Sequence, residues 1–141
     1  MPHQRLRPFN ARDVYRQAPV DADFCMVVKA GRHLFLRGQT GLALDGRFVG
    51  VGDPAAQAEQ ALANVKQLLE EAGSRLEHIC KITTYITDRG HREAIYNVIG
   101  KRLKGIHPCG TGLIVRGLAM PEMLVEIDIE AVIPEDEVRP A

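Results

Sequence analysis

The chain predicts an α+β fold: one six-stranded sheet with two helices on a single face. Three observations lead there. Segments with strand periodicity outnumber segments with helical periodicity, and they run in the order three strands, helix, strand, helix, two strands. Two helices are too few to cover both faces of such a sheet, so they gather on one. The last strand then shows what the other face carries. In PEMLVEIDIEAV, residues 121–132, Val125, Ile127, Ile129 and Ala131 alternate with Glu126, Asp128 and Glu130, which is strand period. The apolar set turns inward, and three carboxylates line the opposite face.

The elements follow in order. FCMVVKA, residues 24–30, reads as a first strand, and HLFLRGQTG, residues 33–41, as a second ending at glycines. Asp45-Gly46 between apolar runs signals a hairpin turn into a short strand, RFVGV, residues 47–51. DPAAQAEQALANVKQLLEEAG, residues 53–73, is the strongest helix. Asp53 suits its cap, Pro54 its first position and Gly73 its stop. Ala58, Ala61, Leu62, Val65, Leu68, Leu69 and Ala72 form one apolar stripe along it. CKITTYIT, residues 80–87, is rich in β-branched residues and reads as a strand. A second helix covers about residues 90–103 with Ala94, Ile95, Val98, Ile99 and Leu103 inward, and strands near 111–117 and 124–132 close the chain.

A chain of 141 residues fits one domain. The organisation expected is an N-terminal arm over residues 1–20, a domain over 21–134 and a tail over 135–141. Arg5, Arg7, Arg12 and Arg16 make the arm basic, and without an apolar segment it reads as a loose, solvated arm rather than a signal peptide. Lys plus Arg equals Asp plus Glu at 18 each, so no global field draws nucleic acid or an anionic membrane. No apolar run is long enough for a transmembrane helix. Cys25, Cys80 and Cys109 are an odd count without CxxC spacing, which points to a reducing cytoplasm. His78-Ile79-Cys80 and His107-Pro108-Cys109 lack partners at finger-like spacing, so no metal is expected.

Several strings in this order resemble the Rid family of enamine and imine deaminases, also called YjgF/YER057c/UK114. They are KAGRHLFLRGQTG, QAEQALANVKQLLEEAG followed by KITTYITD, the proline entering the penultimate strand, and LVEIDIEAV, together spanning about residues 22–133. The resemblance implies a chorismate-mutase-like (YjgF-like) fold, mainly antiparallel and homotrimeric, with clefts between neighbouring subunits and no cofactor. It implies that Glu126 faces the cleft and positions a water. Read from the sequence alone, Glu126, Asp128 and Glu130 are equally the wet side of a strand.

One departure matters. Imine deaminases of the family carry an arginine two residues after that proline, a planar fork that clamps the substrate carboxylate. This chain reads Pro108-Cys109-Gly110. Arg116 is six residues further along, roughly 20 Å away in a strand, and does not replace it. Arg37 stands where many relatives carry the serine of an SGQ string. Two readings stay open: a cationic anchor reaching the space that Gly110 vacates, or an ion pair with Glu126 or another acid across the subunit boundary. Beside Arg37, Glu126 is expected to stay ionised. Phe24 matches a tyrosine of the deaminases, so it walls the cleft without donating a hydrogen bond. Gly38 allows close approach of a ligand to the backbone, Gln39 and Thr40 are candidate polar contacts, and Cys109 and Thr111 sit at the rim.

The function expected is hydrolysis of a C=N bond in a small-molecule enamine or imine other than a plain 2-iminoacid, with Glu126 moving the proton. The alternative is a non-catalytic ligand-binding or regulatory trimer using the same cleft. Endoribonuclease activity is disfavoured by neutral charge and by the lack of interleaved aromatic and basic residues.

Overall fold

The computed structural model describes residues 2–15 and 20–138. Six strands form one sheet: β1 (Gln4–Asn10), β2 (Asp23–Ala30), β3 (His33–Leu36), β4 (Ile79–Ile86), β5 (Cys109–Ile114) and β6 (Val125–Val132). Their order across the sheet is β1-β2-β3-β6-β4-β5, antiparallel throughout except for the β4–β5 pair. That parallel pair is joined by α3 (Arg92–Arg102), the kind of crossover that parallel neighbours require. The other long helix, α2 (Pro54–Glu71), packs against β3, β6 and α3. The expected α+β architecture, six strands with two helices over one face, is what the chain adopts. No helix among the described residues is long and apolar enough to cross a membrane.

Local chemistry sets α2. Asp53 Oδ1 accepts the amide of Ala56 at 3.1 Å, and Pro54 opens the first turn. Gly73, at φ 80°, ends the helix, letting the Ser74 amide reach Leu69 O at 2.8 Å. All seven apolar residues of its stripe are buried, against Val27, Leu34, Leu36, Ile82, Ile127 and Ile129 of the sheet. In α3, Ile95, Val98 and Ile99 join this core with Leu103 just beyond, while Ala94 stays half-exposed.

Two expectations are corrected. The N-terminal arm is not loose where it is described. Residues 4–10 pair with β2 from Gln4–Lys29 to Asn10–Asp23, and the arm continues into a one-turn helix, α1 (Ala11–Val14). Leu6 packs on the core, and Phe9 sets its ring 6.1 Å from Phe24. Arg7 adopts φ 53° and binds Glu71, near the end of α2, through Nε at 2.9 Å and Nη2 at 2.7 Å. These contacts turn a basic segment into an edge strand.

Residues 47–51, read as a strand, do not join the sheet. The Asp45-Gly46 turn forms, with Gly46 at φ 95° and Ala43 N bonded to Arg47 O, but only the isolated bridge Leu42–Phe48 follows. The segment instead lies against α2. Gly41 leaves no room for a side chain between Val49 O and Gln57, whose amide donates to Gly50 O and Glu122 O.

Candidate active site

Alternation on β6 divides its two faces cleanly. Val125, Ile127, Ile129 and Ala131 are buried under the helices, while Glu126, Asp128 and Glu130 are half-buried on the opposite face. Cross-strand register then gives each acid a different neighbour. Glu130 stands between Phe35 and Lys81, and its Oε2 lies 3.2 Å from His33 Nε2. Asp128 is opposite Thr83 and accepts the Tyr85 hydroxyl at 3.2 Å. Glu126 is opposite Tyr85, with no hydrogen bond to its carboxylate among the described residues.

The positioning of this site depends on an irregularity in β3. Its register with β6 advances by one residue between Phe35–Glu130 and Gln39–Ile127, leaving an extra residue at Arg37-Gly38. Arg37 N stays bonded to Met26 O at 2.8 Å, so the bulge opens toward β6 and not toward β2. Gly38 is pressed onto the acids. A β-carbon there would overlap Glu126 Oε2 and approach Asp128 Oδ1 to 2.7 Å. Gln39 is 3% exposed, and its amide donates to Arg37 O at 2.8 Å. Its amide is committed to holding the bulge. Thr40 is likewise buried, its hydroxyl accepting Leu42 N at 3.1 Å.

Within one chain, Arg37 turns toward the N-terminal segment. Its guanidinium carbon stands 5.0 Å from the Phe9 ring centroid and 5.5 Å from that of Tyr15, and it donates to the Tyr15 hydroxyl. Among the described residues it forms no ion pair with a carboxylate. Phe24 completes the aromatic wall as the cross-strand partner of Phe9, 56% exposed.

Arg37 favours the ionised form of Glu126, as expected, but burial and a neighbouring acid outweigh it. Desolvation raises the Glu126 pKa above the ordinary carboxylate range, the charge of Asp128 raises it further, and Arg37 offsets these only in part. Asp128 is raised as well, chiefly by burial, although the Tyr85 hydroxyl works against this. Two neighbouring carboxyls raised in this way are suited to taking up a proton and passing it on.

The remaining candidates are not brought together with Glu126 in the single chain. Cys109 and Thr111 are exposed on the same sheet face, but in register with Lys81 and Thr83 on the far side of β4. Gly110 points the other way. It pairs with Ile82, and a β-carbon there would meet Ile82 Cγ2 at 3.7 Å on the helix side. Between Arg37 and Gly110 lie three strand spacings, roughly 14 Å. Within one chain, Arg37 therefore does not reach the space of a side chain missing at 110. Phe9, Tyr15, Tyr85 and Asp128 were not among the sequence candidates. Tyr85 was recoverable, because Lys81, Thr83 and Tyr85 share one face of a strand already recognised.

The sequence family described as Endoribonuclease L-PSP matches residues 15–133. Protein DfrA of Myxococcus xanthus is 33% identical over 105 residues, covering 74% of this chain and 79% of its own. The RutC family protein slr0709 of Synechocystis is 30% identical over 122 residues, covering 84% and 92%. Among solved structures, Rv2704 of Mycobacterium tuberculosis, described as a member of the YjgF/YER057c/UK114 family, superposes with a TM-score of 0.76 at 22% identity over 93% of this chain and 99% of its own. The Rid family protein YyfA of Yersinia pestis gives a TM-score of 0.73 at 27% identity over 78% and 87%. With the sheet order, the two helices and the VEI strand already in place, these matches establish that the chain belongs to the Endoribonuclease L-PSP family, the YjgF/YER057c/UK114 or Rid group.

Proposed function

We propose that this chain hydrolyses the C=N bond of a small imine, or of the imine tautomer of an enamine, with Glu126 as the proton carrier. The observation that carries the reading is the state of Glu126: half-buried, pressed by Gly38, beside Asp128, and raised in pKa with no hydrogen-bond partner among the described residues. In the reaction Glu126 takes a proton from water as the water oxygen bonds to the imine carbon. The C=N electron pair moves to nitrogen, which receives that proton. The resulting carbinolamine then loses its hydroxyl proton to nitrogen by way of the same carboxylate. The C–N bond breaks, leaving a carbonyl and ammonia. No cofactor enters this scheme.

The working unit in this reading is a homotrimer, in which a neighbouring subunit covers the open acidic face and closes the cleft. The exposed Phe24 and Phe35 on that face favour such a cover. Three unpaired thiols agree with a cytoplasmic setting. A plain 2-iminoacid is disfavoured, since Gly110 offers no guanidinium to its carboxylate. The family description names an endoribonuclease, but three carboxylates on one face oppose a phosphodiester backbone.

The test is decay of imines generated in the cuvette by an amino-acid or amine oxidase. Wild type is expected to accelerate decay and Glu126→Gln to match buffer while keeping the wild-type mass in light scattering. Equal rates for wild type and buffer across all imines would leave the ligand-binding alternative standing.

A further inference from the structure

The arrangement around Arg37 carries a statement about the substrate, and it rests on the reading of Glu126 just given. Among the described residues, Arg37 is the one basic side chain placed against the aromatic group Phe9, Phe24 and Tyr15, at the edge of the acidic row. Two of these aromatics flank its guanidinium, and among the described residues one of its donors is spoken for, by the Tyr15 hydroxyl. A half-buried guanidinium without a carboxylate partner among the described residues is an unanswered cation. Aromatic faces stabilise and orient it without neutralising it. A carboxylate on a ligand answers it through two parallel N–H bonds, which a planar fork supplies and an ammonium does not.

The surroundings add a second requirement. Phe24 is more than half exposed, and Phe9 tilts toward it across the β1–β2 pair. A small anion such as acetate leaves this wall uncovered. An apolar or aryl body next to the anionic group covers it and removes water from around the ion pair. The family match begins at Tyr15, so Phe9 lies outside the matched segment. Part of this wall is thus supplied by β1, ahead of the segment that carries the family resemblance.

We propose that Arg37, set against Phe9 and Phe24, binds the carboxylate of a substrate bearing an apolar or aryl body, and that Tyr15 is the positioning residue that fixes the guanidinium. The carboxylate lies at Arg37 and the C=N group at Glu126, two separate stations on one sheet face. The anchor enters from β3 and the N-terminal strand.

Calorimetric titration with phenylacetate, phenylacetamide and acetate tests this apart from turnover. Wild type is expected to bind phenylacetate at least tenfold more tightly than either of the others. Arg37→Met abolishes the preference for phenylacetate over its amide, and Arg37→Lys restores only part of it. Tyr15→Phe, which keeps the ring and loses the hydroxyl, weakens phenylacetate several-fold and leaves phenylacetamide and Tm unchanged. Glu126→Gln retains the preference. Equal binding of phenylacetate and phenylacetamide by wild type, no binding of either, or an Arg37→Met variant that behaves as wild type overturns the proposal. Imine turnover without the phenylacetate preference sinks the substrate class alone. The preference without turnover sinks the hydrolase reading alone.

Discussion

Gly38 and Glu126 are in such close contact that position 38 has no room for a β-carbon: it would overlap Oε2 of the carboxylate. The backbone of Gly38 is not in the left-handed region, so this glycine is required by space and not by conformation. The obstacle is also the far end of a flexible side chain, which can swing aside.

Gly38→Ala is therefore expected to fold with little loss, below about 1 kcal/mol in urea denaturation. Its imine turnover should fall by tenfold or more, because the displaced carboxylate no longer meets the reacting carbon. A large loss of stability with unchanged turnover would contradict the placement of Glu126.

The pH dependence of turnover should show its acidic limb above the ordinary carboxyl range, since burial and the charge of Asp128 both raise Glu126. Asp128→Asn removes the second of these causes and should move the limb to lower pH. A limb that stays put means Asp128 does not act on Glu126.

Stability responds to the same shift with a definite sign. A carboxyl raised in the folded state costs stability once the pH exceeds its folded pKa, and costs nothing below its unfolded value. Glu126→Gln should therefore be more stable than wild type near pH ~7, with the advantage fading toward pH ~4. Denaturation curves at both pH values decide the matter, and they report the Glu126–Asp128 pair jointly.

Gln57 is fully buried in α2, where it donates to Gly50 O and Glu122 O and accepts the Leu124 amide at 2.9 Å. Gln57→Ala leaves Glu122 O and the Leu124 amide without this partner, while Gly50 O keeps the Asp53 amide, and is expected to cost about 2–4 kcal/mol. Leu124 leads directly into β6, so turnover should also fall at temperatures where the fold survives.

Removing residues 2–10 separates an edge strand from a loose arm. With β1 paired to β2, the truncated chain should lose on the order of 10 °C in Tm. An unchanged Tm would restore the arm as originally read.

What the sequence disclosed was local. Asp53, Pro54 and Gly73 marked α2 through side-chain chemistry that acts within one turn, and the alternation of β6 sorted its residues onto the correct faces without knowledge of any partner strand. What stayed hidden depends on pairing. Arg5, Arg7 and Pro8 gave residues 4–10 the look of a solvated segment. Their pairing with β2, Leu6 on the core, and the reach of Arg7 to Glu71 and of Phe9 to Phe24 hold them in the sheet, all through partners distant in sequence. The face that Gly110 presents is set by its register with Ile82, and the course of Arg37 by a bulge that appears only when β3 is laid against β6. Matching these positions to family strings suggested neighbours that the sheet order keeps apart.

The two borders of the sheet are unlike, and this limits how copies of the chain can add to one another. Along β1, Arg7 breaks the extended run at φ 53° and Pro8 brings no N–H, so that border is a poor template for a further strand. Along β5, Cys109–Ile114 presents an exposed strand whose pairing with β4 occupies one side alone. Growth through β5 consumes the receptive border of both copies and leaves β1 at each end. Among the described residues one border of the sheet is thus open to a new strand, a poor starting point for the repeated strand addition that builds a fibril.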